Sequence, residues 1–220
     1  MLKKRITTAL LIIPPIIAAV WFDKPFPWLT ILVAIWGLLA VFEFYRMATG
    51  LKVPPLTCFG LVWTLLFIIS PHFDYAFLTP LLLTLAVILP LIWLLLHPQK
   101  EGAFIGWAWT IAGILYVGWL LSYFVALRGI DKPMLGDGRN WVFLALLATI
   151  GSDSSALFTG KIWGRHRLAP RISPGKTWEG AIGGIIGAIA VSLLFTLPTP
   201  LHLPFDYWQA VLLGLLVSIF

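Results

Sequence analysis

Apolar residues in this chain come in long uninterrupted runs, without the alternating or one-faced patterning of elements that keep one side in water. A helix needs roughly 20 residues to cross about 30 Å of hydrocarbon. By that measure the runs predict spans near residues 6–22, 27–45, 55–71, 76–96, 103–127, 141–160, 179–197 and 207–220. The expected fold is all-α, a polytopic transmembrane helical protein of about eight spans, forming one integral-membrane domain over 1–220. The last run, Tyr207 to Phe220, is too short to cross, so that span is expected to be truncated here and to continue past Phe220.

Hydrophobic residues make up 60% of the chain and charged ones 11%, which leaves too little polar surface for a soluble domain of this length. A single cysteine, Cys58, excludes a disulfide framework and a thiolate metal site. Many tryptophans, among them Trp21, Trp28, Trp63, Trp107, Trp141 and Trp208, fall near span ends. They read as an aromatic belt rather than a base-stacking surface, so no nucleic-acid partner is expected. The basic start and apolar run at the N-terminus imitate a signal peptide, but no convincing small-residue cleavage site follows, and a retained first helix is expected. With a cytoplasmic N-terminus only Lys24, Arg128, Lys132 and Arg139, of 15 Lys and Arg, lie outside, which sets the orientation. The outer loop Arg128 to Asn140 reads as a turn region, with Asp131 and Asp137 as solvated charges.

One cytoplasmic stretch departs from the apolar pattern. Residues 160–179, GKIWGRHRLAPRISPGKTWE, gather Lys161, Arg165, Arg167, Arg171 and Lys176 with His166 and a single carboxylate, Glu179. That field favours an anion, and a phosphate-bearing one is expected. Ser173 and Pro174 read as an N-cap and first helical residue, with Gly175, Lys176 and Thr177 in the first turn. Free N–H groups at such a helix start bind phosphate oxygens, and Lys176 adds a mobile charge. The competing reading is cytoplasmic-side charge that touches only lipid headgroups. A nucleotide-binding P-loop is excluded, because the pattern needs glycine where Pro170 stands.

Asp153 lies roughly 12 Å along a helix from Lys161, inside the cytoplasmic half of the bilayer, where an ionisable group points to function. Thr149, Asp153, Ala156 and Gly160 form a small, partly polar stripe that should turn Asp153 towards other helices, within reach of a metal. Alternatively, Ser152, Ser154, Ser155 or a buried cation holds it. Glu179 can neutralise a neighbouring cation, stabilise the helix start or ligate a metal. Gly180, Gly183, Gly184 and Gly187 contain two overlapping GxxxG patterns and predict close helix packing. No HExxH or GxSxG motif is present, so zinc-protease chemistry and covalent serine chemistry have no support.

The segment SDSSALFTGKIWGRHRLAPRISPGKTWEGAIGG, Ser152 to Gly184, closely resembles phosphatidate cytidylyltransferases, the CDP-diacylglycerol synthases of bacterial membranes. SPGKTWEG, Ser173 to Gly180, is its most specific part. LKKRITTALLI near the start, FEFYRM around Glu43, and GILYVG with LRG between Gly113 and Gly129 extend the likeness over most of the chain. Ser155, where the family usually has Gly, and Leu157, where an aromatic is common, depart from it beside Asp153. The family's C-terminal signature, with its Lys-Arg and Lys-Asp pairs, His-Gly-Gly turn and further Asp residues, is not among these residues.

The resemblance implies that the phosphate of phosphatidic acid attacks the α-phosphorus of CTP, with Mg²⁺ assistance, in the bacterial cytoplasmic membrane. It implies that Asp153 helps hold the metal together with acids of the C-terminal signature, and Glu179 remains a metal candidate from its position alone. Lys176 with the Ser173, Gly175 and Thr177 amides would hold phosphate, and Lys161, Arg167 and Arg171 would gather the anions. The lipid bilayer is the expected surroundings, and self-association as a homodimer is left open. Two other classes remain: a transporter of an anionic solute, since an intramembrane Asp and Gly-interrupted helices also occur in transport sites, and an inactive membrane scaffold.

Overall fold

The structure is a computed structural model that describes residues 13–23, 26–49, 55–73, 75–96, 103–132 and 134–219. It is mostly helical and divides into two compact units, Met1–Gly129 and Ile130–Phe220. The N-terminal run 1–12 lies outside the described residues, and with it the start, 6–12, of the first expected span.

The first unit holds helix α1 over 13–21, α2 (Trp28–Thr49), α3 (Thr57–Ile69) and α4 (Leu78–Leu96). Its last helix runs as α5 (Ala103–Gly113), a π-helical stretch Ile114–Trp119, and α6 (Leu120–Arg128). The GILYVG block thus falls on the π-helical stretch and the residue before it. Phe67, Leu82, Ala86 and Ile114 form one core cluster, and Val41, Tyr45 and Val117 another. Tyr45 is fully buried, and its hydroxyl donates to the Thr110 carbonyl at 2.8 Å. Thr110 in turn donates through Oγ1 to the Gly106 carbonyl and accepts from the Leu56 N–H. The phenol ring fits only because Gly60 on α3 and Gly113 at the end of α5 carry no side chain; a Cβ at either would collide with it.

The second unit opens with a two-residue hairpin, β1 (Asp131–Lys132) against β2 (Gly136–Asp137), and continues as α7 (Gly138–Trp163). Asp137 is no merely solvated charge. Its carboxylate caps α7 by accepting from the Arg139 N–H at 2.8 Å and pairs with the Arg139 guanidinium at 3.2 Å. A second hairpin, β3 (Arg167–Ala169) against β4 (Ser173–Thr177), leads into α8 (Trp178–Leu194), and α9 (Tyr207–Ile219) packs on α8. The glycines of α8 are set against α7 as the GxxxG pattern predicts: Gly183 meets Thr159, Gly187 meets Ser155, and Gly180 lies on the Ala156 carbonyl and Gly160. Ser155, the departure from Gly, is therefore lodged in the notch left by Gly187.

Four described helices are long and apolar enough to cross a bilayer: Trp28–Ala48, Leu78–Leu96, Phe104–Arg128 and Gly138–Trp163. Thr57–His72, Trp178–Leu194 and Tyr207–Ile219 are apolar but shorter. A membrane protein is supported, and the count of eight spans is not borne out. The shorter helices nonetheless lie close to the expected runs, 57–72 against 55–71 and 178–194 against 179–197.

The glycine slot around Tyr45 gives a direct test. Gly60→Ala and Gly113→Ala should each destabilise the unit by about 1–3 kcal/mol, the usual cost of overpacking. Gly129→Ala, where a Cβ would meet only ordinary contacts, should be close to neutral. Thermal unfolding of the three variants in detergent checks the ranking.

Candidate functional site

The expected helix start at Ser173 is not formed. Residues 173–177 are strand β4, and the N-cap of α8 is Thr177, whose Oγ1 accepts from the Gly180 N–H at 3.1 Å. The Ser-Pro signal was outweighed by antiparallel pairing with β3, in which Arg167 faces Thr177 and Ala169 faces Ser173 across an irregular register. A two-stranded hairpin has only edges, so Pro174 costs no ladder bond it could have donated. Its carbonyl instead accepts from the Arg167 guanidinium.

Lys161 at the end of α7, Lys176 in β4 and Thr177 at the head of α8 come together around one cavity of about 660 Å³. Asp153, a little over two turns earlier on α7, lines the same cavity, as do Gly175, Gly180 and Ala181. Leu157, Leu168, Ile185 and Ile219 give it apolar walls. Asp153, Lys161 and Lys176 make no hydrogen bond or ion pair among the described residues. The reading in which neighbouring serines or a cation hold Asp153 therefore fails: Ser152 bonds instead to Ser218 of α9, Oγ to Oγ at 3.4 Å. Two lysines without counter-ions, beside the first turn of a helix, make this cavity attractive to an anion with an apolar portion.

The remaining expected residues lie elsewhere. Ser173, Arg167 and Arg171 do not line the cavity; both arginines are exposed on the hairpin. Glu179 lines a separate cavity of about 600 Å³ with Thr159, Trp163 and Gly183. Its carboxylate accepts from His166 Nδ1 at 2.7 Å and from the Arg165 and His166 N–H groups at 3.2 and 3.3 Å. Among the described residues no three His, Cys, Asp or Glu side chains converge as a metal cluster. Ser152, as a cavity residue, and Ser218 were missed on the sequence; Ser218 carries no local signal, since only the packing of α9 brings it there.

The model of the cytidylyltransferase family matches residues 3–220. The phosphatidate cytidylyltransferase of Bacillus subtilis is 29% identical over 223 residues, spanning all of this chain and 80% of that protein. That of Haemophilus influenzae is 30% identical over 89% of this chain and 73% of its own length. That of Brucella abortus is 37% identical over 114 residues, 52% of this chain and 40% of its own length.

The His166 side chain first, and the backbone N–H groups with it, hold the Glu179 carboxyl at about 2 against an ordinary 4.5. A depressed folded value means that the link stabilises fully above the unfolded value of 4.5 and is lost as pH falls through about 2. Protection of the Arg165 and His166 amides from hydrogen exchange, corrected for intrinsic rates, should hold from neutral pH to 4.5 and fall away towards 2. Glu179→Gln should abolish most of that pH dependence.

Proposed function

This chain belongs to the cytidylyltransferase family, and we propose that it transfers a cytidylyl group from CTP to phosphatidic acid, giving CDP-diacylglycerol and pyrophosphate. The observation that carries the reading is the cavity of the second unit, where cations without partners, a helix start and apolar walls meet. A lipid phosphate needs both halves of such a site. The family and the curated relatives favour this reading over an anion transporter or an inactive scaffold.

In the reaction a phosphate oxygen of phosphatidic acid bonds to the α-phosphorus of CTP while the bond to the bridging oxygen breaks. The leaving pyrophosphate takes that electron pair. Negative charge gathers on the transferring and leaving groups, so positioning and neutralisation supply most of the catalysis. Lys176 holds a phosphate of either substrate, with Gly175 leaving room for it: nothing lies within 4 Å of where its Cβ would be. Lys161 provides the second charge, and the first turn of α8 takes the place that the Ser173 amides were expected to fill. Arg167 and Arg171, exposed outside the cavity, gather anionic substrate at the surface.

Mg²⁺ commonly rests on one or two carboxylates and completes its shell with water and substrate phosphates. Asp153 fits that pattern as a hard ligand with no other partner on the cavity wall, and Glu179 does not, since its oxygens are engaged elsewhere. When bound there, the ion supplies further neutralisation of phosphate charge. The same reading places the chain in the bacterial cytoplasmic membrane, with the N-terminus and the basic stretch on the cytoplasmic side, and leaves assembly as a homodimer open.

The test is conversion of labelled CTP into chloroform-soluble product by membranes that contain the chain, given phosphatidic acid and Mg²⁺. Lys176→Ala and Asp153→Asn should each lower turnover by about a hundredfold, the scale of losing one charge-stabilising group, without loss of folded protein. Near-wild-type turnover by Lys176→Ala sinks the assigned role. Uptake of an anionic solute into liposomes without lipid turnover would favour transport.

A further inference from the structure

We propose that Glu179 is a positioning residue for Lys176, acting through His166, and not a ligand of the metal. The proposal rests on the reading of Lys176 as the phosphate-binding lysine.

The two carboxylates of the basic stretch and its approach are treated in opposite ways. Asp153 has no partner on the wall of the cavity that Lys176 lines. Glu179 sits on the other cavity, with Oε1 on His166 Nδ1 and both oxygens shared among the Arg165 and His166 N–H groups. A carboxylate so occupied has little left to offer a cation. Nor does Glu179 serve as a general counter-charge: none of Lys161, Arg165, Arg167, Arg171 or Lys176 forms an ion pair with it.

Its bonds close a clamp. His166 is tied three times to the first turn of α8, by its side chain and its backbone N–H to Glu179 and by its carbonyl, which accepts from the Trp178 N–H at 3.0 Å. The next residue, Arg167, is paired in register with Thr177, the cap of that same helix. Just before the clamp, Gly164 lies against the Gly160 carbonyl and the Thr177 side chain. Both ends of the hairpin are thereby fixed at the head of α8, and Lys176 stands next to that anchored end. The lysine side chain makes no hydrogen bond or ion pair among the described residues to set its position, so its place on the cavity wall depends on the strand that carries it. With the clamp open, β3 loses its tie to the head of α8, and β4, which carries Lys176, loses the partner strand that holds it.

The full chain in nanodiscs tests this in two independent arms. In the first, Glu179→Ala and His166→Ala should each speed amide exchange across residues 165–177 by about tenfold while α7 is unchanged, the signature of local opening. His166→Asn, which keeps a donor near the Nδ1 position, should restore protection. In the second, the same two alanine variants should each raise KM for CTP by about fivefold with a smaller fall in kcat, and the double variant should be no worse than the worse single one. The Mg²⁺ concentration for half-maximal rate should stay at the wild-type value. Unchanged hairpin exchange in Glu179→Ala overturns the proposal, as does a raised Mg²⁺ requirement confined to Glu179 variants, which would mark a metal ligand. A wild-type chain that turns over no CTP would instead defeat the reading of function, and the exchange arm would still decide whether the clamp exists.

Discussion

The second unit depends on how closely α8 lies on α7. Gly180, Gly183, Gly184 and Gly187 leave no side chain between the two backbones, so the Thr159 and Ser155 side chains and the Ala156 carbonyl occupy the space that Cβ atoms would need. Contacts of this kind are the usual means of joining helices where lipid removes the hydrophobic drive. Two consequences follow from the geometry alone. The end of α7 is brought beside the start of α8, and residues 164–177 must leave and return within that short gap. An antiparallel hairpin is the economical solution, and it delivers Lys176 next to the last turn of α7, where Lys161 already stands.

Close packing also separates the acids. Gly180 and Gly184 border the cavity of Asp153 and Lys176, whereas Gly183 and Gly187 border that of Glu179. Two residues close in sequence to one short basic segment thus serve different ends. A carboxylate whose oxygens are all satisfied strengthens a fold, because each bond to an ionised acceptor is stronger than a neutral one. A carboxylate or ammonium group left without a partner contributes nothing to the fold and costs desolvation wherever water is thin. Such groups are expected where a ligand supplies the missing charge, which is the arrangement around Asp153, Lys161 and Lys176.

Much of this was legible in the residues. Long apolar runs gave the helices, the glycine spacing gave the α7–α8 face, and the charge pattern marked Lys176 and Asp153. Local signals failed where a tertiary partner competed. Ser173 followed by Pro174 is a good helix start in isolation, yet pairing with Arg167–Ala169 draws the segment into a strand and leaves the cap to Thr177. Asp137 looked like a loop charge because its capping role depends on α7 starting at Gly138, three residues earlier than hydropathy suggests.

The segment SPGKTWEG makes more sense as a strand, a cap and a first turn than as a helix alone. Pro174 suits an edge strand and offers its carbonyl to Arg167. Gly175 stands in open space, so no side chain there obstructs a ligand approaching Lys176. Thr177 is buried, with its methyl against Gly164 and its hydroxyl on the Gly180 N–H, joining the strand to the helix. Glu179 reaches back to His166, and Gly180 lets the first turn of α8 rest on the Ala156 carbonyl. Of its two charged residues, Glu179 is bonded to His166, whereas Lys176 makes no hydrogen bond or ion pair among the described residues. Pairing, capping and close packing thus fix the backbone on either side of a lysine whose side chain stays unpaired on the cavity wall.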